Sequence, residues 1–267
     1  MTDAAPRRRG PFVPGEQVLF VDRKERRYLV ILEAGGSFQT HAGLVPHDDV
    51  LGQDEGLQVT STGAARFLVF RPTLSDLVLK QPRGAQVIYP KDLGPILMLA
   101  DIEPGVRVFE TGLGSGALST TLLRAGAEVT GYEVRDDFAR RAVENVERGL
   151  GKEALDHYDV HVRDAYESID HRDFDRVLLD LPEPWQVTAN LAPDVLRPGG
   201  ILVAYTPSVT QVMRLRTSME MANFAAIETV EIMQRTWHVD GQSVRPDHRM
   251  VAHTGFLTHG RYRGLRS

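Results

Sequence analysis

The chain has 267 residues and no cysteine. Disulfides, thiolate zinc sites, iron–sulfur clusters and a cysteine nucleophile are therefore excluded. A membrane helix needs about 20 consecutive apolar residues, and no apolar run in the sequence approaches that length. The arginines near the start of the chain are followed by Gly and Pro instead of the apolar core of a signal peptide. These absences predict a cytoplasmic protein.

The composition is 42% hydrophobic and 25% charged, with 24 glycines and 15 prolines spread along the chain. This is ordinary globular usage, which excludes a collagenous or wholly disordered protein. The length fits one large domain, or one domain with a small appendage.

Charge is unevenly distributed along the chain, whose net charge is -5. Residues 234–267, the C-terminal segment, carry six arginines and two aspartates, whereas the other residues hold 25 basic and 34 acidic groups. A basic segment on an acidic protein is typical of a local nucleic-acid contact, but a solvated surface or disordered arm has the same composition.

The first 70 residues differ from the rest. Short β-branched or aromatic runs are separated by turn signals, and we predict strands at 17–21, 28–32, 58–61 and 67–70. These strands indicate a small antiparallel β domain at 1–75. The segment 71–84 has prolines near both ends and is predicted to join this domain to the remainder, 76–267.

From residue 106 onward, apolar strands alternate with helical patterns. The predicted strands are 106–110, 128–133, 159–164, 176–181, 201–206 and 226–233, and the predicted helices are 117–124, 137–149 and 211–222. Apolar strands of this kind suit a sheet covered on both faces. The fold class is therefore α/β, with a doubly wound, mostly parallel sheet.

A glycine-rich loop, ETGLGSGA at 110–117, follows the first of these strands and opens a helix. Gly112, Gly114 and Gly116 can take backbone angles that a Cβ forbids and can pass close to a bound ligand. The loop therefore indicates a cofactor site. The motif alone does not separate an NAD enzyme from a methyltransferase.

Carboxylates stand at the ends of the following strands, where ligands bind in such sheets. Glu133 can accept hydrogen bonds from ribose hydroxyls, and Asp164 can accept one from the exocyclic amine of an adenine. Asp180 opens DLPEPW at 180–185, which resembles the D/N-P-P-Y/F/W loop of methyltransferases that act on amino groups and ring nitrogens. The alternative for Asp180 is a capping aspartate.

Taken in order, these residues identify a family resemblance that covers essentially the whole chain. QVIYPKD at 86–92, GSGALS at 114–119, Glu133, Asp164, DLPEPW at 180–185 and RPDHRMVAHTGFL at 245–257 resemble the tRNA adenine-58 N1-methyltransferases of bacteria and archaea. The resemblance implies a Rossmann-like methyltransferase domain, S-adenosylmethionine as cofactor, N1-methyladenosine in the T loop of tRNA as product, and a homotetramer.

The expected reaction needs a lone pair behind the sulfonium methyl, and N1 of adenine is a weakly basic one. Asp180 is the candidate that takes the N6 proton density and raises the nucleophilicity of N1. Tyr89 could orient or stack on a base pulled from its stack, or else simply pack against the sheet. The expected cofactor contacts are Gln86, Leu93, Gly112, Gly114, Ser115, Gly116, Ala117, Leu118, Glu133, Asp164, Ala165 and Asp180.

The C-terminal segment supplies the expected RNA contacts. Arg245, Arg249 and His253 are predicted to line an RNA groove, where phosphate contacts give affinity and position but not sequence; surface decoration is the alternative. The histidines at 238, 248, 253 and 259 have no adjacent cysteines or acid pairs that could complete a metal shell, so no metal is expected.

Two other classes of function stay open. A methyltransferase of another amine or small molecule would share the glycine loop and Glu133, but would not need the β domain or the basic segment. A non-enzymatic RNA-binding subunit is the second alternative, and the intact glycines, Glu133 and Asp180 count against it.

Overall fold

The computed structural model describes residues 9–80, 86–189, 191 and 194–264. The backbone forms two compact units. The first contains the residues up to 80 together with 145–155, and the second contains 86–144 and the residues from 156 onward. The expected domain boundary near residue 75 stays a prediction.

The N-terminal unit is a four-stranded antiparallel sheet of order β2-β1-β6-β5 beside the hairpin β3–β4. The strands are β1 (Gln17–Asp22), β2 (Arg27–Ile31), β3 (Ser37–Thr40), β4 (Gly43–Pro46), β5 (Gln58–Thr60) and β6 (Arg66–Phe70). Alternate side chains such as Phe20, Phe67 and Val69 enter its core. The four predicted strands are confirmed, and the β3–β4 hairpin was not predicted.

A short helix, α1 (Leu74–Lys80), occupies most of the segment predicted to join the two domains. Asp76 in its first turn accepts hydrogen bonds from the backbone N–H and the hydroxyl of Thr73. The same carboxylate pairs with Arg27 of β2 at 2.8 Å. These contacts belong to the N-terminal unit. Residues 81–84 of the predicted joining segment lie outside the described residues.

The second unit contains a seven-stranded sheet of order β12-β15-β11-β10-β7-β8-β9. Its strands are β7 (Arg107–Thr111), β8 (Glu128–Glu133), β9 (Tyr158–Val162), β10 (Phe174–Leu179), β11 (Leu196–Thr206), β12 (Phe224–Glu231) and β15 (Phe256–Tyr262). Five adjacent strands are parallel to one another, in the order β11, β10, β7, β8 and β9. Strand β15 runs antiparallel to both of its neighbours, β11 and β12. The α/β fold class with a mostly parallel sheet is confirmed. The sequence predicted every strand of this sheet except β15.

Five further α-helices, a hairpin and two 3₁₀ helices complete the described secondary structure. The α-helices are α2 (Pro90–Leu99), α3 (Ala117–Arg124), α4 (Asp136–Leu150), α5 (Pro184–Ala189) and α6 (Val209–Met221), the hairpin strands are β13 (Trp237–Asp240) and β14 (Ser243–Pro246), and the 3₁₀ helices are His47–Asp49 and Lys152–His157. Phe109, Tyr132, Leu179 and Leu202 lie in the core of the sheet. Among the described helices, none is long and apolar enough to cross a membrane.

Candidate active site

The glycine loop connects the end of β7 to the start of α3. Its three glycines have positive φ angles of 85°, 53° and 77° at Gly112, Gly114 and Gly116. A Cβ on Gly112 would lie 2.0 Å from the backbone oxygen of Asp180, and one on Gly116 would lie 3.0 Å from the Cα of Ala142. The loop therefore touches the chain that leaves β10, and these positions require glycine. Ser115, Ala117 and Leu118 are buried beside it.

Glu133 ends β8 and turns its carboxylate toward the glycine loop. Its Oε2 accepts a hydrogen bond from the backbone N–H of Gly114 at 3.2 Å, and its Oε1 accepts one from the N–H of Arg135 at 3.0 Å. The residue is 7% exposed. A carboxylate has about four lone-pair sites, so both oxygens can still accept from a ligand hydroxyl.

Asp164 lines a cavity of about 330 Å³ at the ends of β8 and β9, together with Val134 and Val162. Its Oδ1 accepts a hydrogen bond from the N–H of Tyr166 at 2.8 Å, and Ala165 beside it is buried. Val134 and Val162 are 63% and 52% exposed, which is unusual for apolar side chains. A carboxylate flanked by two accessible apolar side chains suits the edge and faces of an adenine ring.

Two more carboxylates stand close to Glu133 at the strand ends. Burial raises the pKa of Asp180, at the end of β10, to about 7, and the charge of Glu133 adds to the rise. Burial also raises the pKa of Glu110 in β7 to about 8, with further contributions from Asp180 and Glu133. Neither oxygen of Glu110 meets hydrogen-bond geometry with another described residue, although Ser119 lies close enough to lower its pKa. The site favours a cationic ligand, because positive charge would relieve this repulsion.

Tyr89 lies at the start of α2, in an extended conformation with φ -72° and ψ 151°, and is followed by Pro90 in the first helical position. Leu93 is buried in the first turn, while Gln86 is exposed. Burial raises the pKa of Tyr205 in β11 to about 12, and charges on Asp92, Asp180 and Tyr89 raise it further. These electrostatic interactions place Tyr89, Asp180 and Tyr205 in one neighbourhood.

A buried polar network joins the start of α2 to the C-terminal segment. Lys91 pairs with the fully buried Asp92 at 2.8 Å, and its Nζ also donates to the backbone oxygen of Ile232 at 2.6 Å. The other oxygen of Asp92 accepts from the hydroxyl of Thr254 at 2.7 Å, and the backbone oxygen of Thr254 accepts from Tyr205 at 2.6 Å. Burying an ion pair costs desolvation, which the hydrogen bonds to the Ile232 oxygen and from Thr254 help to offset.

The candidate RNA contacts lie in a different environment. Arg245 is exposed on β14, opposite His238 in the β13–β14 hairpin, and Arg249 is exposed in the chain that follows. His253 contacts Glu231 at 2.6 Å through Nδ1 and the backbone oxygen of Pro207 at 3.0 Å through Nε2. These hydrogen bonds, with that to Glu231 largest, raise the pKa of His253. His253 is therefore anchored to the protein, unlike the two arginines.

The structure thus separates the predicted residues. Gly112 packs against the backbone of Asp180, and Gly114 donates a hydrogen bond to Glu133. Tyr89 and Asp180 both affect the pKa of Tyr205. The exposed Arg245 and Arg249 lie on and after the β13–β14 hairpin.

The sequence analysis gave no role to Glu110, Tyr205 or the Lys91–Asp92 pair. The sequence contains a clue to two of these features. Glu110 is a charged residue at the end of an apolar predicted strand, and the Lys-Asp pair directly follows Tyr89 and Pro90.

Comparison with known proteins agrees with this geometry. Residues 65–254 match the family model described as tRNA methyltransferase complex GCD14 subunit, and residues 10–59 match TrmI-like N-terminal. A tRNA (adenine(58)-N(1))-methyltransferase TrmI of Thermus thermophilus is 37% identical to this chain, over 90% of this chain and 94% of the length of that protein.

Two solved structures are also similar. The SAM-dependent O-methyltransferase of Thermotoga maritima superposes with a TM-score of 0.89 at 30% identity, covering 96% of both chains. The tRNA (m1A58) methyltransferase TrmI of Aquifex aeolicus gives 0.83 at 30% identity, covering 97% of this chain and 100% of that one.

The sheet, the glycine loop and the strand-end carboxylates define an α/β methyltransferase of the S-adenosylmethionine-dependent class. Within that class, the matches over both units show that the chain belongs to the tRNA (adenine-58-N1)-methyltransferase family. The family resemblance identified from the sequence motifs is confirmed.

Proposed function

We propose that this protein transfers a methyl group from S-adenosylmethionine to N1 of adenine 58 in the T loop of tRNA. The observation that carries the proposal is the carboxylate of Asp180, with a raised pKa, on a backbone in contact with the glycine loop. Family membership supplies the substrate, since the Thermus and Aquifex relatives are named for this modification.

The residues at the strand ends fit S-adenosylmethionine in charge and in shape. Its sulfonium and ammonium groups are cationic, and Glu133 and Asp180 supply negative charge, while the raised pKa of Glu110 keeps that carboxyl largely protonated at neutral pH. The glycines let the loop pack directly against the backbone of Asp180, and the cavity beside Asp164 offers a carboxylate between two accessible valines. The residues proposed to hold the cofactor are Gln86, Leu93, Gly112, Gly114, Ser115, Gly116, Ala117, Leu118, Glu133, Asp164, Ala165 and Asp180.

Individual contacts follow from side-chain chemistry. Glu133 would accept hydrogen bonds from the ribose hydroxyls of the cofactor, and Asp164 would accept one from its adenine amine. The N–H groups of the glycine loop and the start of α3 would help to hold it. When bound, S-adenosylmethionine supplies an electrophilic methyl carbon on a sulfonium.

Asp180 acts on the target adenine. Its carboxylate accepts a hydrogen bond from N6–H, which pushes electron density toward N1 as the lone pair of N1 forms the new bond. Positive charge then spreads over N1, C6 and N6, and the anionic Asp180 stabilises it more in the transition state than in the bound substrate. Tyr89 orients or stacks on the flipped base, which has to leave its stack to react.

Arg245 and Arg249 bind tRNA phosphates in this proposal. His253 contributes positive charge to the RNA groove without a direct hydrogen bond, because both of its ring nitrogens already contact Glu231 and Pro207. The two arginines are exposed on a basic segment of an otherwise acidic chain. His253 is kept closer to its charged form by Glu231. Such contacts position the RNA but do not read its sequence.

We also propose a cytoplasmic homotetramer. The cytoplasmic location is inferred from the tRNA substrate, and the number of subunits is inferred from the family resemblance. Trp237, Val239 and Val244 are more than half exposed on the β13–β14 hairpin, which supports a subunit contact there. Light scattering on the purified protein measures the number of subunits.

The test of the proposed function is methyl transfer to an unmodified tRNA transcript with radiolabelled S-adenosylmethionine, followed by nucleoside mapping. Label in N1-methyladenosine at position 58 supports the proposal. A matched transcript with guanosine at position 58 should take up no label. Label on a ribose oxygen, on another nucleotide or on a small molecule in place of tRNA would contradict it.

A further inference from the structure

A cluster of two histidines and one aspartate lies at the free edge of the large sheet. Asp159 and His161 are two residues apart on β9, so their side chains share one face of the strand. His171 reaches the same place from the segment between β9 and β10. The ligand atoms of all three residues lie within 4.8 Å of one another.

The spacing within the cluster is close to that of a metal site. His161 Nε2 is 2.8 Å from Asp159 Oδ2, and His171 Nε2 is 3.9 Å from the same oxygen. Zinc bonds of about 2.0–2.2 Å in tetrahedral geometry put neighbouring ligand atoms roughly 3.3–3.5 Å apart. The two observed distances fall on either side of that value, so small side-chain rotations suffice.

A second observation concerns the other nitrogen of His171. Its Nδ1 lies 2.8 Å from the hydroxyl of Tyr132, a fully buried residue of β8. The backbone N–H of Asp170 also donates to that hydroxyl at 3.3 Å. A metal-binding imidazole commonly uses its second nitrogen in such a hydrogen bond, which fixes the ring and leaves the first nitrogen for the ion. Here the fixed ring turns Nε2 toward Asp159.

The surrounding charges permit a cation. Two arginines stand near the cluster, and each is already paired with an acid: Arg163 with Asp170, and Arg172 with Asp194 at 3.1 Å. Two imidazoles and one carboxylate suit zinc and its neighbours among the transition metals, whereas magnesium and calcium prefer all-oxygen sites.

We propose that Asp159, His161 and His171 bind one zinc ion, a site separate from the methyl-transfer centre. The ion would tie β9 to the segment that returns toward β10. That segment contains Asp164 and Ala165, so the bound ion would also restrict the motion of Asp164 in the cavity proposed to hold the adenine of the cofactor. The sequence analysis expected no metal because it weighed only the histidines of the C-terminal segment; the fold brings these three residues together.

The test is zinc titration of the tag-free full-length protein by calorimetry after dialysis against a chelator. We expect one equivalent to bind with a dissociation constant below about 10 µM, and cobalt to give the visible absorption of a tetrahedral site. His171→Ala and His161→Ala should each weaken binding by at least about tenfold. The matched control is His157→Ala, an exposed histidine paired with Glu128 at 2.8 Å, which should bind zinc like the parent.

A second readout does not depend on methyl transfer. Zinc in excess should raise the unfolding temperature of the parent and of His157→Ala, but not of His171→Ala, because an ion that binds only the folded state stabilises it. Absence of a one-equivalent titration in the parent overturns the proposal, as does equal weakening by His157→Ala and His171→Ala.

Discussion

The carboxyl ends of the central strands and the C-terminal segment carry opposite charges in opposite environments. Glu110 and Glu133 are buried, and the charge of Glu133 acts on both Glu110 and Asp180 through a medium of low polarity. Arg245 and Arg249 project into water. Buried charges interact strongly and specifically, while exposed ones contribute little individually and are screened by salt. Single substitutions should therefore have large effects at the strand ends and small, additive effects in the C-terminal segment.

The largest effect is expected for Asp180→Ala. The substitution removes an interaction that strengthens as positive charge develops on the adenine, so kcat should fall by about 10²–10⁴-fold while tRNA and cofactor affinities change little. Single-turnover methylation with tRNA and cofactor both saturating measures this fall in rate. Asp137→Ala, at an exposed aspartate of α4, is the control. An unchanged rate in Asp180→Ala would remove Asp180 from catalysis and make Tyr89 the next residue to examine.

Glu133→Ala should weaken binding of S-adenosylmethionine. A charged acceptor of hydrogen bonds contributes about 1.5–3 kcal/mol, which corresponds to roughly 10–150-fold in the dissociation constant. Cofactor titration measures the loss, and tRNA affinity in the same preparation should stay near that of the parent. If the cofactor binds Glu133→Ala as tightly as the parent, the ribose contact is assigned to the wrong residue.

Glu110→Gln should change how stability depends on pH. The pKa of Glu110 is about 8 in the folded protein, against a usual value of 4.5. The unfolded chain therefore releases this proton at lower pH than the folded protein does. The stability that protonated Glu110 contributes falls as pH rises above about 4.5 and is lost as pH passes about 8. Between pH 6 and pH 9 the free energy of unfolding should fall by at least about 1.4 kcal/mol more in the parent than in Glu110→Gln.

Denaturant unfolding of cofactor-free protein at a series of pH values measures this difference. Parallel curves for the parent and Glu110→Gln would mean that Glu110 is ionised in the folded protein at neutral pH. The repulsion among the strand-end carboxylates would then have to be relieved by some other group.

The smallest single-residue effects are expected for Arg245 and Arg249. Replacing both with alanine should lower tRNA affinity and reduce the slope of log affinity against log salt by about 0.7–0.9 for each phosphate that the protein no longer neutralises. Cofactor affinity should stay the same. Arg140→Ala, at an exposed arginine of α4, is a control for loss of positive charge. Parental slope and affinity in the double variant would place the RNA groove elsewhere, with the N-terminal arginines as the next candidates.

Much of the fold could be predicted from local patterns. The predicted helix 117–124 and strand 128–133 agree with α3 and β8, because these segments combine apolar periodicity with clear turn signals at both ends. Helix α2 was not predicted, since Gly94 and Pro95 lie inside it and both disfavour helix interiors. Strand β15 was missed because its place between β11 and β12 depends on antiparallel pairing with residues far away in the chain.

The site shows the same division between local and long-range information. The glycine loop and the residues at strand ends could be located because every parallel strand ends at the same edge of the sheet. The raised pKa of Glu110 and the Lys91–Asp92–Thr254 network depend on burial and on contacts across the fold. Local sequence patterns single out Glu110 and the Lys-Asp pair as unusual, but they do not show this burial or these contacts.

The pH dependence of single-turnover methylation shows whether Asp180 acts on the adenine in its ionised form. The pKa of Asp180 is about 7 without cofactor, and a bound sulfonium lowers it. In the parent, the rate should rise about tenfold per pH unit under acidic conditions and level off at or below pH 7. In Asp180→Asn the rate should be low and nearly independent of pH over the same range. A rate in Asp180→Asn that follows the parent in both size and pH dependence would contradict the account.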